Sequence, residues 1–226
     1  MKGRIAGAAC VLGLTASGAA CAQSAAPFGM PMDDSRVFAH LLMDQFEARL
    51  GSSNAFWWDA QAWVGSDENR VYLLTEGETA NGAVTDAQHE LLYVHPVSAF
   101  FDVRAGIRTD TDSTQHRSWA ALGIAGLAPY FVQLSGTVYA SDSGHYAAKG
   151  TASYDLLLTQ RLILTPAVEL NVQSGGGLTG LEAGLRLRYE ITRKIGPYLG
   201  VNYERNVAAG IEANATRVVL GLHAWL

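Results

Sequence analysis

Leu181-Glu182-Ala183-Gly184-Leu185-Arg186-Leu187-Arg188-Tyr189-Glu190-Ile191 decides the fold class. Its odd-numbered positions are apolar, whereas the even positions read Glu182, Gly184, Arg186, Arg188 and Glu190. Successive side chains of a strand point to opposite faces, so this segment shows hydrocarbon to one side and charge to the other. About eleven residues suffice for a tilted strand to cross a bilayer. A soluble sheet uses the same alternation, so the recurrence of the pattern and its context must decide.

The pattern recurs. Asp102, Arg104, Gly106 and Arg108 alternate with Phe101, Val103, Ala105 and Ile107, and Glu169, Asn171 and Gln173 alternate with Val168, Leu170 and Val172. Alternating runs separated by turn residues fall near 40–50, 55–64, 70–78, 86–95, 99–110, 116–127, 130–140, 146–157, 162–174, 180–191, 197–206 and 216–226. The reading is all-β: a transmembrane antiparallel up-and-down β-barrel of about twelve strands, the even number usual in bacterial outer membranes. Connections are expected to alternate between short inner turns, such as 65–69 and 96–98, and longer outer loops at 77–85, 111–115, 174–179 and 207–215. Outward Trp58, Phe101, Tyr154, Tyr189 and Tyr203 are candidates for interfacial aromatic girdles. The competing architecture is an exported soluble β-sandwich.

The context supports export. Lys2 and Arg4 precede an apolar, Ala- and Gly-rich run that closes on Ala20-Cys21-Ala22, so residues 1–22 read as a signal peptide. Lipidation at Cys21 is the rival processing. Cys10 and Cys21, the only cysteines, both lie in this segment, which excludes disulfide and thiolate chemistry from the mature chain. Removing Lys2 and Arg4 takes the basic count from 16 to 14 against 21 acidic residues, a balance of −7. That disfavours nucleic acid, which is bound by phosphate neutralisation. Residues 23–36 form a short leader broken by Pro27, Gly29 and Pro31, and 37–226 form the barrel. A barrel is the membrane architecture left when no apolar run suits a helix.

Gly126-Leu127-Ala128-Pro129-Tyr130-Phe131, Tyr154-Asp155-Leu156-Leu157-Leu158-Thr159-Gln160-Arg161-Leu162-Ile163-Leu164 and Pro197-Tyr198-Leu199-Gly200-Val201 resemble segments of the copper-resistance protein B family (CopB/PcoB). So do Met43-Asp44-Gln45-Phe46-Glu47 and Trp58-Asp59-Ala60-Gln61-Ala62-Trp63. The likeness covers roughly residues 37–226. It implies an outer-membrane barrel that binds copper ions or moves them across the outer membrane, in contact with its lipid, without catalysing a reaction. It also makes a periplasmic multicopper oxidase or copper carrier a plausible partner. Family members often carry a long extension rich in Met, His and Asp; here the leader holds Met30, Met32, Asp33 and Asp34.

Thioethers suit Cu(I), and imidazole with carboxylate suits Cu(II). Met30, Met32, Asp34 and His40, with Met43 in reserve, are therefore the candidate metal ligands; the bland alternative is a packed methionine, solvated aspartates and a histidine that starts a strand. The alternation assigns Glu47, Asp59, Glu76, Glu90, Asp102, Asp155, Glu169, Glu182, Glu190 and Glu204 to the lumen, facing Arg49, Arg104, Arg108, Lys149, Arg186, Arg188 and Arg217. Such mixed charge reads as an ion-pair network holding the interior rather than a wide pore. Two other functions use the same barrel: a passive small-solute porin, and a lipid hydrolase with Ser98 or Ser118 beside His95, for which no motif speaks.

Overall fold

The computed structural model describes residues 36–226 apart from 52–53, 113–115 and 209–210, so residues 1–35, which hold the segment read as a signal peptide and all of the leader but Arg36, lie outside the described residues. Thirteen strand segments run β1 (Phe38–Leu50), β2 (Ala55–Gly65), β3 (Arg70–Ala80), β4 (Ala83–Pro96), β5 (Phe101–Asp112), β6 (His116–Ala128), β7 (Val132–Ser141), β8 (Tyr146–Ser153), β9 (Leu156–Leu157), β10 (Leu162–Gln173), β11 (Gly177–Tyr189), β12 (Ile195–Ala208) and β13 (Ile211–Trp225). Each pairs antiparallel with its neighbours, and β13 pairs with β1, from Leu42↔Trp225 to Leu50↔Val218, so the sheet closes.

β8 and β9 are one stave. Ser153 pairs with Ala167 and Leu156 with Leu164, the same register on either side of the gap. Pro166 lies opposite the gap and has no N–H to donate, so the ladder lapses there while Tyr154 N–H still reaches the Pro166 carbonyl at 3.1 Å. The barrel therefore has twelve staves, as the alternation predicts.

Side chains sort inside out relative to a soluble protein. Leu185, Leu199, Val201, Val218, Leu220 and Ile107 are exposed on the outer face, while Glu47, Arg49, Arg108, Arg186 and Asn202 are buried inside. A backbone whose polar groups are satisfied by a closed sheet, wrapped in exposed hydrocarbon, is stable in a bilayer. The protein is an outer-membrane barrel. Phe38, Phe100, Tyr130, Phe131 and Tyr189 stand exposed around the end where the chain enters and leaves, here called the terminal end, and Tyr146 stands at the opposite, loop end. These give the aromatic girdles; of the set expected above, Tyr189 is among them, and Phe101 lies on the outer wall at the terminal end.

The loop lengths differ from expectation. The strands extend through the segments read as long outer loops: β3 and β4 meet at Asn81-Gly82, and β10 and β11 are separated by residues 174–176. Asn81 and Gly82 have φ of 53° and 78°, the two left-handed residues of a tight hairpin turn matching strand twist. Gly, Asn and Thr at these places are turn and bulge residues inside hairpins. An added Cβ at Gly82 would meet nothing within 4 Å. Gly82→Val is thus expected to destabilise the barrel through backbone strain alone, by about 1–2 kcal/mol, read from the urea midpoint of unfolding.

One irregularity positions the functional face. Met43 pairs with Ala60 and Gln45 with Asp59, so Asp44 is the extra residue of a bulge in β1. His40 and Glu47 are seven apart, which in a regular strand places them on opposite faces. The bulge brings both into the lumen.

Candidate functional site

The lumen is built in two halves. On the β2–β8 side an apolar cluster of Tyr72, Leu92, Val94, Trp119, Ala121 and Tyr139 fills it, with Trp63 and Leu74 packed against them. This half was not legible in the alternation, because runs such as Leu91-Leu92-Tyr93-Val94 are apolar on both faces.

The other half is an ion-pair network across the closing seam. Glu47, with no exposure, accepts from Arg49 Nε at 2.9 Å, Arg186 Nε and Nη2 at 3.0 Å, and the Tyr198 hydroxyl at 2.9 Å. Arg49 also donates to Glu204 at 2.5 Å and Glu182 at 2.8 Å, and its guanidinium lies 4.2 Å from the Trp57 ring centre. Glycines make the room: a Cβ on Gly184 would collide with the Arg186 guanidinium, and one on Gly221 with Tyr198 and Glu47. The cluster ties β1 to β11 and β12 with bidentate, charge-assisted bonds.

The other lumen residues named from the alternation, apart from Glu190, which follows the last residue of β11, are found inside. Lys149 bridges Glu76 at 2.5 Å and Glu169 at 3.3 Å; Arg188 meets Asp155 at 3.3 Å; Arg70 meets Asp102 at 3.4 Å. Glu90 accepts from Tyr139 at 2.7 Å, and Arg104 lies 5.7 Å from the Tyr72 ring centre. Asp59 differs from these. It lines a lumen cavity of about 370 Å³ with Asp44, Glu76, Glu169 and Glu182, and makes no hydrogen bond or ion pair with any other described residue.

A second cavity of about 370 Å³ opens at the terminal end, lined by His40, Asp44, Asp155, Arg188, His223 and Trp225 among others. His40 sits between Trp63 and Trp225, each ring centre 6.0 Å away and within about 21° of parallel, and its Nδ1 is buried without a hydrogen-bond partner. His223 Nδ1 lies 3.2 Å from Asp44 Oδ1. Asp44 lines both cavities, so the bulge residue links the terminal mouth to the acidic middle. Sequence reasoning left Asp44 out, since one extra residue in a strand leaves no mark on a periodic pattern.

Of the expected metal ligands, only His40 and Met43 fall among the described residues, and these two stand on opposite faces of β1. Met30, Met32 and Asp34 lie outside the described residues. Met43, before the bulge, pairs with Ala60 and Ala224 on the lipid-facing row, opposite to His40. Among the described residues no three His, Cys, Asp or Glu side chains are grouped to hold a metal ion. His40, Asp44 and His223 offer a cation successive contacts along a wall rather than a chelating cage. Of the residues imagined for hydrolysis, His95 Nδ1 contacts the Glu68 carbonyl at 2.9 Å and Ser98 Oγ accepts the Phe101 N–H at 3.0 Å, while Ser118 begins β6 at the far end.

Comparison with known proteins decides the family. The family described as copper resistance protein B precursor (CopB) matches residues 37–226, the whole barrel. The chain belongs to the copper resistance protein B family. Copper resistance protein B of Escherichia coli is 40% identical over 186 residues, covering 78% of this chain and 63% of that protein. The copper resistance protein B homolog of Pseudomonas syringae pv. tomato is 36% identical over 214 residues, covering 87% of this chain and 73% of the relative. The chain thus spans less than two thirds of the matched E. coli relative's length. Solved structures similar in fold include KdgM porin, with a TM-score of 0.55, 13% identity and coverage of 83% of this chain and 98% of that one. NanC porin gives 0.57 at 15% identity, over 81% and 98%. These two likenesses concern the barrel architecture of this chain alone.

Proposed function

We propose that this barrel contributes to copper resistance by binding copper ions and moving them across the outer membrane, without catalysing a reaction. The observation that carries the reading is the imidazole and carboxylate lining of the terminal cavity, His40, Asp44 and His223, in a member of a copper resistance family. Imidazole and carboxylate are borderline and hard donors that take divalent copper, and the thioethers of Met30 and Met32 in the leader take Cu(I). The terminal end faces the periplasm in this account, where a copper carrier or multicopper oxidase supplies the ion. From the mouth, Asp44 hands the cation to Asp59, which has no hydrogen-bond or ion-pair partner among the described residues, beside Glu76 and Glu169. Conduction needs sites weak and numerous enough to release the ion, which a row of single contacts supplies and a closed cage does not.

Copper tolerance of cells carrying variants tests this. Met30→Ala, Met32→Ala and His40→Ala combined are expected to reduce tolerance to that of cells lacking the protein. Met43→Leu, on the lipid-facing row, is expected to leave it unchanged. Tolerance equal to wild type in the triple variant contradicts the assignment. The porin reading rests on the same fold; planar-bilayer conductance that is insensitive to copper and to Asp59→Asn favours it instead.

A further inference from the structure

We infer that the outer wall over β6, β7, β8 and β10 is a specific binding site for one phosphate-bearing lipid, its acyl chain in a groove of the wall and its head on the loop-end rim. Two adjoining cavities lie on this face. One of about 590 Å³ is walled by Leu122, Val138, Tyr146 and Val172 over a floor containing Ala148. The next, of about 390 Å³, continues along β8 over Gly150 and Ala152 between Leu134 and Leu170. Gly136 and Gly150 are paired directly across the β7–β8 ladder, and a Cβ on either would meet nothing within 4 Å. Each cavity falls in the range of about 300–1,000 Å³ usual for ligand pockets. This wall is at membrane depth, so hydrocarbon fills the groove.

The rim indicates the head. A cavity of about 470 Å³ at the loop end shares Tyr146, Gln173 and Ser174 with the groove below it, and is lined by His116, Arg117 and His145. His116 Nδ1 lies 3.3 Å from Thr111 Oγ1 and His145 Nδ1 3.0 Å from Ser143 Oγ. With the Thr111 and Ser143 hydroxyls donating to Nδ1, each imidazole carries its proton on Nε2 and can donate it to a phosphate oxygen. Among the described residues lining this cavity Asp142 is the acidic one, and its carboxylate accepts from the Ser141 hydroxyl at 3.1 Å. Two imidazoles and a guanidinium above an apolar groove offer N–H donors to the phosphate of an anionic lipid. A second copy of the chain fits less well, because a two-fold contact sets the same patch on both partners and would place groove against groove.

Native mass spectrometry of the full barrel in detergent tests the site, with phosphatidylglycerol and with diacylglycerol of the same chains. Wild type is expected to retain one phosphatidylglycerol at least fivefold in preference to diacylglycerol. Ala148→Leu with Gly150→Leu fills the groove and is expected to lose both lipids, while still shifting mobility on heating as a folded barrel does. His116→Gln with His145→Gln is expected to reduce phosphatidylglycerol retention to that of diacylglycerol. Should the double leucine variant not fold, Gly150→Val carries the same expectation. Undiminished phosphatidylglycerol retention by the groove-filled barrel overturns the proposal. So does equal retention of the two lipids by wild type, or a dimer that the groove-filling substitutions abolish.

Discussion

Glu47→Ala is expected to destabilise the barrel by about 3–5 kcal/mol, the cost of leaving buried charges without their partner. Glu47 is fully buried and Arg49 is 1% exposed, and the single carboxylate accepts four hydrogen bonds from Arg49, Arg186 and Tyr198. Truncation removes the one carboxylate among the described residues that hydrogen-bonds to both guanidinium ions. Arg49 keeps Glu182 and Glu204, whereas Arg186 keeps only the Gln45 side-chain oxygen at 2.9 Å. The two cations are left adjacent without the anion between them. Because the cluster spans the seam where β1 meets β13, unfolding should begin there. Asp155→Ala provides the contrast: its partner Arg188 is 3.3 Å away and Asp155 is 36% exposed, so a loss within about 1 kcal/mol is expected. Urea unfolding in lipid vesicles, followed by tryptophan fluorescence, measures both. Equal small losses would mean that the network is solvated and incidental.

Leu185→Arg is the second large effect. Leu185 is paired with Pro166 and Val201 and is 48% exposed on the outer face, between neighbours that are themselves apolar. On a soluble protein, placing arginine at a half-exposed leucine changes stability little. Facing lipid near the middle of the span it costs about 2–4 kcal/mol, falling toward the interfaces. The same substitution at Tyr189, by the terminal girdle, should therefore cost less. Unfolding in bilayers reads the depth dependence; a flat profile across Leu185 and Tyr189 would show that this face is wet.

Twelve staves and their approximate spans were legible because most carry an alternation of their own and turn residues part them, so that a closed barrel repeats one solution twelve times. Glu182, Arg186 and Arg188 were placed inside on that basis, and they are inside. Two things escaped the pattern. Asp44 and the face of Met43 depend on a single bulge, which shifts parity without altering composition. The apolar half of the lumen depends on Tyr72, Leu92 and Trp119, whose strands are apolar on both sides and so show no periodicity to read. The outer connections were overestimated for a related reason. Polar and glycine residues that resemble loops continue the ladder, down to the two-residue turn at Asn81-Gly82. The candidate copper contacts divide along the same line: His40 was named from its chemistry, while its neighbours Asp44 and His223 come together only through the closed wall.

Copper entry into proteoliposomes tests the central claim most directly. Barrels are reconstituted with an internal copper indicator, and uptake of copper and of arabinose is followed for wild type and for a variant combining His40→Ala, Asp59→Asn and His223→Ala. The account predicts that copper uptake falls at least tenfold while arabinose uptake is unchanged. Copper uptake equal to wild type, or copper and arabinose falling together, would contradict it.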